Sequence, residues 1–363
     1  MKKFISVLNV CFLLIISCSP KENDLESDAG NAQTPRNIIF MIGDGMGLAQ
    51  IYAAMTASGG RLNIEQCTYT GLVKTFSADN YITESAAAGT ALACGVKTKN
   101  NMVGMSPDTV PVPSILVLAA GKEKSTGLVV VCSVTHATPA AFVAHQDNRN
   151  KDEAIAADYL KAPIDVFIGG GLKYFQNRSD NRDLVKELKE KGYTVALNMD
   201  EVKKAKSGKL AGLVAEDHPG GVEERKNMLA EASLAAINLL NQNKNGFFLM
   251  IEGSQIDWAA HNNNSSWTIS ETLDFDQTIG VVLDFARRDG NTLVVITGDH
   301  ETGGLTVMNG NFKEGSVELT FNSPNHTGIM VPIYSFGPGA EKFSGIQENI
   351  DIPHKMKKMW GIR

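Results

Sequence analysis

The sequence contains few cysteines and no pair with the CxxC spacing that is typical of metal-binding cysteine motifs. An odd, sparse set argues against both a disulfide framework and a cysteine metal cluster. Free, buried thiols are therefore the expectation for the three cysteines beyond the N-terminal region. The five cysteines are Cys11, Cys18, Cys67, Cys94 and Cys132.

An excess of positive charge is also absent. The formal net charge is −6, and it becomes −8 if residues 1–17, which contain Lys2 and Lys3, are removed. Nucleic acid is therefore not an expected partner. The chain also lacks an internal repeat and has no linker-like stretch beyond residue 35. We predict one folded domain over residues 36–363, although this length would also accommodate two small domains.

The N-terminal stretch "MKKFISVLNVCFLLIISCSP" has a basic start and an apolar run that is short for a membrane span. This pattern predicts a secretion signal over residues 1–17. The segment "IISC" resembles the lipobox of bacterial lipoproteins, which implies cleavage before Cys18, a lipid on its sulfur and a place in the periplasm or outer membrane. A plain signal peptide with an incidental cysteine is the alternative. Residues 18–35 are polar and acidic, which predicts a flexible tether.

Continuous apolar runs of strand length recur along the rest of the chain, and helical patterns over 223–243 and 270–288 lie among them. Apolar strands without polar alternation, separated by helices, are typical of a parallel sheet that is covered on both faces. We therefore predict an α/β fold with a mostly parallel central sheet and helices on both faces. Residues 193–221 give no clear pattern. The predicted strands are 37–42, 127–132, 165–170, 246–251, 291–297 and 329–336.

Polar residues follow several of these predicted strands at their carboxyl ends. Asp44 follows the first in "GDGMG", and Thr138 follows the second in "VTHATP". Glu252 follows the strand 246–251, and Asp299 with His300 follows 291–297 in "TGDHETGG". Each motif alone could be an ordinary turn. In an open parallel sheet, however, these ends form one crevice, and clustered carboxylates repel one another unless cations neutralise them.

The donor types in this crevice indicate metal ions. Asp257 and His261 in "EGSQIDWAAH" lie on one face if the segment is helical, and His326 stands in "SPNHTG". Imidazole and carboxylate donors without thiolate suit zinc, whereas Asp44, Thr138 and Glu252 offer only oxygen and suit magnesium. Paired metals about 4 Å apart suit in-line displacement at phosphorus.

Ser85 stands before a run of small residues in "TESAAAGTA", and two interpretations are open. Ala favours helix and Ser commonly caps a helix, so the segment could be no more than a tightly packed helix start. Alternatively, Ser85 is a nucleophile at a helix N-terminus, where free N–H groups favour an anion and small neighbours leave room for a substrate.

Together, these motifs resemble the alkaline phosphatase family, in the family's order, from about Arg36 to the C-terminus. The resemblance implies that Ser85 is the nucleophile that becomes phosphorylated and that Arg149 in "AHQDNR" holds the phosphate oxygens. It implies two zinc ions and one magnesium ion, and broad activity on small phosphate monoesters. The implied ligands are Asp257, His261 and His326 for the first zinc, Asp44, Asp299 and His300 for the second, and Asp44, Thr138 and Glu252 for magnesium.

Three positions depart from the bacterial prototype of this family. Glu84 stands where Asp is usual before the serine, His136 where the prototype has Asp, and Trp258 where it has Lys. We expect these changes to affect phosphate affinity, magnesium dependence and pH optimum rather than to abolish activity. The stretch 303–325, where some relatives carry a large interface insertion, is short, so a homodimer is compatible with the sequence and the oligomeric state stays open.

Two other functions compete with a monoesterase. A phosphodiesterase or sulfatase of the same superfamily would have a related metal site, but the oxygen-donor trio and Arg149 favour monoesters. A surface lipoprotein that binds phosphorylated ligands without catalysis is the second alternative, and the complete ligand set argues against it.

Overall fold

Strands and helices alternate along most of the described part of the chain, which comprises Met1 and residues 34–362 of this computed structural model. The strands are β1 (Asn37–Gly43), β2 (Tyr69–Lys74), β3 (Ser125–Ser133), β4 (Val166–Gly170), β5 (Tyr193–Ala196), β6 (Lys209–Leu213), β7 (Phe247–Gly253), β8 (Thr292–Gly298), β9 (Glu301–Thr302), β10 (Leu305–Asn311), β11 (Ser316–Phe321), β12 (His326–Thr327), β13 (Val331–Phe336) and β14 (Gly345–Glu348). The α-helices are α1 (Leu48–Ala57), α2 (Ser85–Cys94), α3 (Ile115–Ala120), α4 (Ala137–Val143), α5 (Asp152–Tyr159), α6 (Lys173–Gln176), α7 (Leu184–Glu190), α8 (Met199–Lys204), α9 (Val222–Arg225), α10 (Met228–Leu240), α11 (Gln255–His261), α12 (Ser265–Asp289) and α13 (Asp351–Met359). Short 3₁₀ helices span Asn63–Gln66 and Ala340–Phe343.

A ten-stranded sheet crosses the described residues in the order β14-β2-β13-β8-β1-β7-β3-β4-β6-β5. Neighbouring strands pair in parallel except β13, which runs antiparallel to both β8 and β2. The predicted, mostly parallel sheet is confirmed. All six predicted strands are present within one or two residues of the expected bounds.

Alternate side chains of the central strand β1 enter two different cores, one on each face of the sheet. Ile38, Phe40 and Ile42 join a core that includes helices α2, α4, α5 and α13. Ile39 and Met41 join a second core with α1, α10 and α12. Because a strand that is covered on both faces has no solvent side, its sequence is a continuous apolar run. The prediction of helices on both faces is confirmed.

The prediction of one continuous helix over 223–243 is wrong. The structure has α9 and α10 there, separated near Lys226, whose φ of 53° lies in the left-handed region that a helix does not use. The prediction over 270–288 is confirmed, since α12 contains it. The stretch 193–221 contains β5, α8 and β6, and its two strands, of which β5 is at the edge of the sheet, are too short to give a clear periodic signal.

Residues 303–325 form the antiparallel hairpin β10–β11 beside the main sheet. Cys67, Cys94 and Cys132 are free thiols; the last two are buried and Cys67 is half-buried. None of the described helices has the length and apolar character needed to span a bilayer. The predicted signal peptide, Cys18 and nearly all of the predicted tether lie outside the described residues.

Candidate active site

Polar side chains that are far apart in the sequence meet above the carboxyl ends of four neighbouring strands, β8, β1, β7 and β3. The segments directly after these strands carry most of them, and β12, which pairs with β9 after β8, supplies the last. Parallel strands bring such ends to one edge of the sheet, as the sequence predicted. The side chains are Asp44, Thr138, Glu252, Asp257, His261, Asp299, His300 and His326.

Ser85 is the first residue of α2, but it does not cap that helix. Glu84 is the N-cap, and its carboxylate accepts hydrogen bonds from the backbone N–H groups of Ala86 and Ala87 at 3.0 and 2.9 Å. The Ser85 hydroxyl is thereby left to face the crevice, where its Oγ lies 3.5 Å from Asp44 Oδ1 and 3.4 Å from His300 Nε2. The interpretation of Ser85 as a simple helix cap is therefore wrong.

Arg149 is held from two sides next to this serine. Its Nη1 donates to Glu84 Oε2 at 2.6 Å, and its Nη2 lies 3.0 Å from His136 Nε2. Because a guanidinium only donates, His136 Nε2 must be the acceptor. Glu84 thus has two functions, since it caps α2 and also fixes the arginine beside the helix N-terminus.

We call Asp257, His261 and His326 the outer cluster. The two Nε2 atoms lie 3.0 Å apart, and they lie 3.3 and 3.5 Å from Asp257 Oδ1. Each ring also places its Nδ1 near a backbone carbonyl, that of Pro324 for His261 at 2.6 Å and that of Thr83 for His326 at 3.0 Å. With the Nδ1–H groups donating, both Nε2 lone pairs face one point, which is how proteins orient histidine ligands.

We call Asp44, Asp299 and His300 the inner cluster. His300 Nε2 lies 3.2 Å from Asp299 Oδ2 and 3.5 Å from Asp44 Oδ1. Asp299 Oδ1 accepts from the backbone of Gly45 and His300, whereas the second oxygens of Asp44 and Asp299 have no hydrogen-bond partner among the described residues. Buried carboxylate oxygens without partners fit a cation site.

The two clusters are in direct contact. The rings of His300 and His326 stack with centroids 3.7 Å apart, and Thr302 Oγ1 hydrogen-bonds Asp257 while lying 3.2 Å from His300 Nδ1. Thr302 was not anticipated from sequence, because a threonine after "TGDHE" looks like any strand residue. Donors for two ions therefore adjoin each other beside Ser85.

Burial and pairing shift the ionisation of the two clusters in opposite ways. Burial acts to raise the pKa of Asp257, but hydrogen bonds from His261 and His326 outweigh it and hold that pKa well below its ordinary value. In the inner cluster, burial and the charge of Asp299 raise the pKa of Asp44 well above its ordinary value. Burial likewise raises the pKa of Asp299 to about 7.

The predicted oxygen donors Asp44, Thr138 and Glu252 also follow or end strands at this edge of the sheet, and their binding of one shared ion stays a prediction. All three side chains are fully buried, and each has an oxygen with no hydrogen-bond partner among the described residues. Burial raises the pKa of Glu252 to about 8. Cys132 adds a contact that sequence reasoning missed, because its Sγ lies 3.5 Å from Glu252 Oε2. Its place at the end of β3, two residues before "VTHATP", was the signal available.

An aromatic wall of His136, Trp258 and His218 lies beside Arg149. His218 meets Trp258 edge to face with ring centroids 4.7 Å apart, and His136 lies 5.7 Å from Trp258 and 6.0 Å from His218. Sequence reasoning singled out His136 and Trp258 but missed His218. Its segment gave no motif, and only the fold brings it to the site.

Comparisons with known proteins agree with this arrangement. The family model described as alkaline phosphatase matches residues 35–319. Alkaline phosphatase 4 of Bacillus subtilis is 38% identical, over 87% of each chain, and the alkaline phosphatase of Escherichia coli is 30% identical, over 93% of this chain and 88% of its own. The solved structure of alkaline phosphatase from the Antarctic bacterium TAB5 is 41% identical, with a TM-score of 0.85, and covers 90% of this chain and 98% of that one.

Sequence, fold and site geometry lead to the same assignment. The sheet and the helices around it match the solved alkaline phosphatase structure, the identity to named members extends over most of the chain, and groups of side chains that could hold metal ions are present. The chain belongs to the alkaline phosphatase family and is a metal-dependent phosphomonoester hydrolase that acts on small phosphate esters.

Proposed function

We propose that this enzyme hydrolyses a broad range of phosphate monoesters through a phosphoserine on Ser85. The observation that supports this most directly is the position of the Ser85 hydroxyl, which does not cap α2 but contacts Asp44 and His300, because Glu84 caps the helix in its place. Arg149 lies beside it and is itself fixed by Glu84. A leaving group could extend toward solvent past the half-exposed His261, so its structure would be weakly restricted.

The reaction has two displacements at phosphorus. The Ser85 hydroxyl gives up its proton as its oxygen forms a bond to phosphorus, the ester P–O bond breaks, and the leaving alkoxide takes up a proton to become the alcohol. Water then attacks the phosphoserine, and inorganic phosphate leaves as the Ser85 hydroxyl is restored. Throughout, the planar Arg149 guanidinium donates two hydrogen bonds to non-bridging oxygens and limits the orientations of the phosphoryl group.

We assign two zinc ions and one magnesium ion to the three donor groups. The outer cluster would hold the first zinc, the inner cluster the second, and Asp44, Thr138 and Glu252 the magnesium. When bound, these ions supply the positive charge that activates the serine and the water and stabilises the leaving oxygen. A structure of a histidine-to-aspartate variant of the TAB5 enzyme has magnesium bound in a site termed M3, which supports a magnesium site in this family.

Replacement of the serine tests the nucleophile. We expect Ser85→Ala to lose activity by at least about 10³-fold, as when other catalytic nucleophiles are removed, while it still binds zinc and phosphate. Ser114→Ala is a matched control, because Ser114 does cap its helix, so it should cost about 1 kcal/mol of stability but no activity. Radiolabelled phosphate trapped on a residue other than Ser85 would refute the assignment.

Metal content and substrate preference test the ions and the reaction. Zinc-loaded protein should release phosphate from a monoester much faster than from a diester, and elemental analysis should give two zinc ions and one magnesium ion per chain. A faster diesterase, or a sulfatase, would favour the alternative activities of the superfamily. A different metal ratio would overturn the ion assignment alone.

We also propose that residues 36–363 are one catalytic domain, exported by the signal at 1–17 and tethered through 18–35 to a lipid on Cys18 in the periplasm or outer membrane. Homodimer formation is a further proposal. The mature protein should partition with membranes, and Cys18→Ser should release it. Unchanged membrane association of a correctly exported Cys18→Ser variant would contradict the lipid anchor, and light scattering of the released protein tests the dimer.

A further inference from the structure

The loop that carries His218 is fixed to the sheet by several independent contacts. The backbone at Asp217 passes so close to β4 that a Cβ on Gly170 would lie 1.9 Å from the Asp217 carbonyl oxygen. The buried side chain of Gln255 donates to the carbonyls of Pro219 and Val131, both at 2.8 Å. These contacts fix the residues on either side of His218, so this histidine is part of a rigid segment.

The His218 ring itself is fixed by a hydrogen bond to a strand end. The backbone N–H of Ser133, the last residue of β3, donates to His218 Nδ1 at 2.9 Å. Because a backbone N–H only donates, Nδ1 is an acceptor and the ring carries its proton on Nε2. The side chain is 37% exposed, its Nε2 lies 3.6 Å from Asp217 Oδ1, and partial burial lowers the pKa of the ring from its ordinary value. The orientation of the imidazole is thereby set.

From this ring, contacts lead directly to the phosphate-binding arginine. His218 meets the Trp258 indole at 75° with 4.7 Å between centroids, and Trp258 meets His136 at 82° and 5.7 Å. His136 Nε2 then accepts from Arg149 Nη2 at 3.0 Å. The side chain of His136 has no other hydrogen bond among the described residues, since its Nδ1 has no partner. Packing of the His136 ring against its aromatic neighbours is therefore the main contact that orients its Nε2 toward Arg149.

We propose that His218 is a positioning residue for phosphate: it holds Trp258 and His136 in place so that Arg149 keeps its orientation toward the phosphoryl group. This inference rests on the proposed role of Arg149. The alternative is that His218 only anchors its own loop to Ser133, in which case its loss would reduce stability but leave phosphate binding unchanged.

Phosphate affinity is the direct test, and it can be measured without turnover. In zinc-loaded Ser85→Ala protein, titration calorimetry gives the Kd of inorganic phosphate. We expect His218→Ala to raise this Kd about fivefold, the scale of one lost aromatic pair, with unchanged metal content. In the otherwise wild-type enzyme, KM and the inhibition constant of phosphate should rise by a similar factor, while kcat changes less.

Two further variants separate positioning from anchoring. His218→Asn keeps an acceptor for the Ser133 N–H but has no ring, so it should fold and still lose phosphate affinity. His218→Phe keeps a ring against Trp258 and should recover part of that affinity. His354→Ala, which removes an imidazole that contacts the Gly95 carbonyl remote from Arg149, is the control and should leave the Kd unchanged.

A double-mutant cycle closes the test. If His218 acts through the indole, the effects of His218→Asn and Trp258→Ala on the phosphate Kd should be clearly non-additive. Additive effects, or a His218→Asn protein that binds phosphate within twofold of its parent, would overturn the inference. If the Ser85→Ala parent binds no phosphate at all, the proposed function itself fails, so the two failures are distinguishable.

Discussion

The outer and inner clusters use the same donor types but differ in burial. In the inner cluster the side chains of Asp44, Asp299 and His300 are all 0% exposed. In the outer cluster His261 is 35% exposed and His326 is 14% exposed. The crevice therefore contains two groups of carboxylate and imidazole side chains. The inner cluster is shielded from solvent, whereas the histidines of the outer cluster are partly exposed to it.

This difference decides how each cluster balances its charge. In the outer cluster, the buried Asp257 stays ionised because an imidazole that is protonated on Nε2 donates to it, and this hydrogen bond raises the pKa of His261. The two Nε2 atoms are so close that at most one proton lies between them. In the inner cluster, burial disfavours every charged form, so it raises the pKa of both carboxylates and lowers that of His300. A cation at the inner cluster therefore competes with protons on carboxylates, and one at the outer cluster with a proton on an imidazole.

Removal of one donor from each cluster should give the largest contrast. Asp44→Asn keeps the side-chain volume but removes the charge of a fully buried group that also belongs to the oxygen-donor trio. Replacement of a group that only supports a metal ligand reduces metal affinity or activity about 10- to 100-fold. Because Asp44 is itself a proposed ligand, we expect a greater loss of activity, and added zinc should not restore it. His261→Gln should lose less and recover partly in excess zinc, because solvent reaches its cluster.

Steady-state rates and metal content across a zinc titration check this prediction. Asp276→Asn is the matched control, because Asp276 is a buried carboxylate that accepts from the backbone of Asn63 and Ile64 away from the crevice. It should reduce stability and leave the rate per folded molecule unchanged. If excess zinc restored the activity of both variants equally, the difference in burial between the inner and outer clusters would not control how easily their ions are replaced.

Chelation should remove the outer ion first. The half-exposed His261 gives a chelator access, whereas the inner donors are buried. We expect metal loss in two kinetic phases, with most activity lost in the first phase and the larger fall in Tm in the second. A colorimetric zinc assay during chelation, followed by thermal melts of samples from each phase, measures both. A single phase would contradict the prediction.

The metal-free protein should become less stable as the pH rises. The pKa of Asp299 is raised from 3.8 to about 7 in the folded protein, so between these values the folded state binds more protons than the unfolded state. The contribution of Asp299 to the free energy of unfolding therefore falls as pH rises through this window and levels off above it, and Glu252, whose pKa is raised to about 8, adds a loss of the same sign. Urea unfolding of chelator-treated protein at several pH values between 4 and 7 measures the slope, and Asp299→Asn should flatten it. A slope of the opposite sign would show that other groups dominate.

The smallest expected effect concerns the neighbours of the oxygen-donor trio. His136 and Trp258 supply an imidazole and an indole at two positions where the resemblance to the family implied a carboxylate and an ammonium. Less negative charge should weaken magnesium, and loss of the ammonium should weaken bound phosphate. We expect added magnesium to stimulate this enzyme, and His136→Asp with Trp258→Lys to tighten phosphate inhibition and reduce the stimulation, each severalfold at most.

Inhibition constants for phosphate and magnesium activation curves of both proteins check this double variant. Unchanged values in a stably folded protein would contradict the prediction. A protein that mainly loses stability would show instead that Trp258 serves to pack, which its contact with His218 would explain.

Much of the fold and of the metal crevice followed from sequence because those features are local or periodic. The run "NIIFMI" predicted a doubly covered strand, and each of Asp44, Glu252 and Asp299 stands directly at a strand end. By contrast, the break between α9 and α10 coincides with the positive φ of Lys226, and a lysine does not predict the end of a helix. The short edge strand β5 has its pairing partner in another part of the chain, so its sequence alone is ambiguous.

By itself, the sequence determined three features of this protein. They are the mostly parallel sheet, the donor side chains at the carboxyl ends of its strands and the small residues that follow Ser85. Only the tertiary structure decided which group caps α2, since Glu84 and Ser85 are both able to do so, and the Glu84 carboxylate that caps the helix also contacts Arg149, 65 residues away. The different burial of the two clusters, and the approach of His218 to Trp258, were likewise decided by the fold. Burial and ring contacts are properties of surfaces brought together over long sequence separations, and no local pattern of residues encodes them.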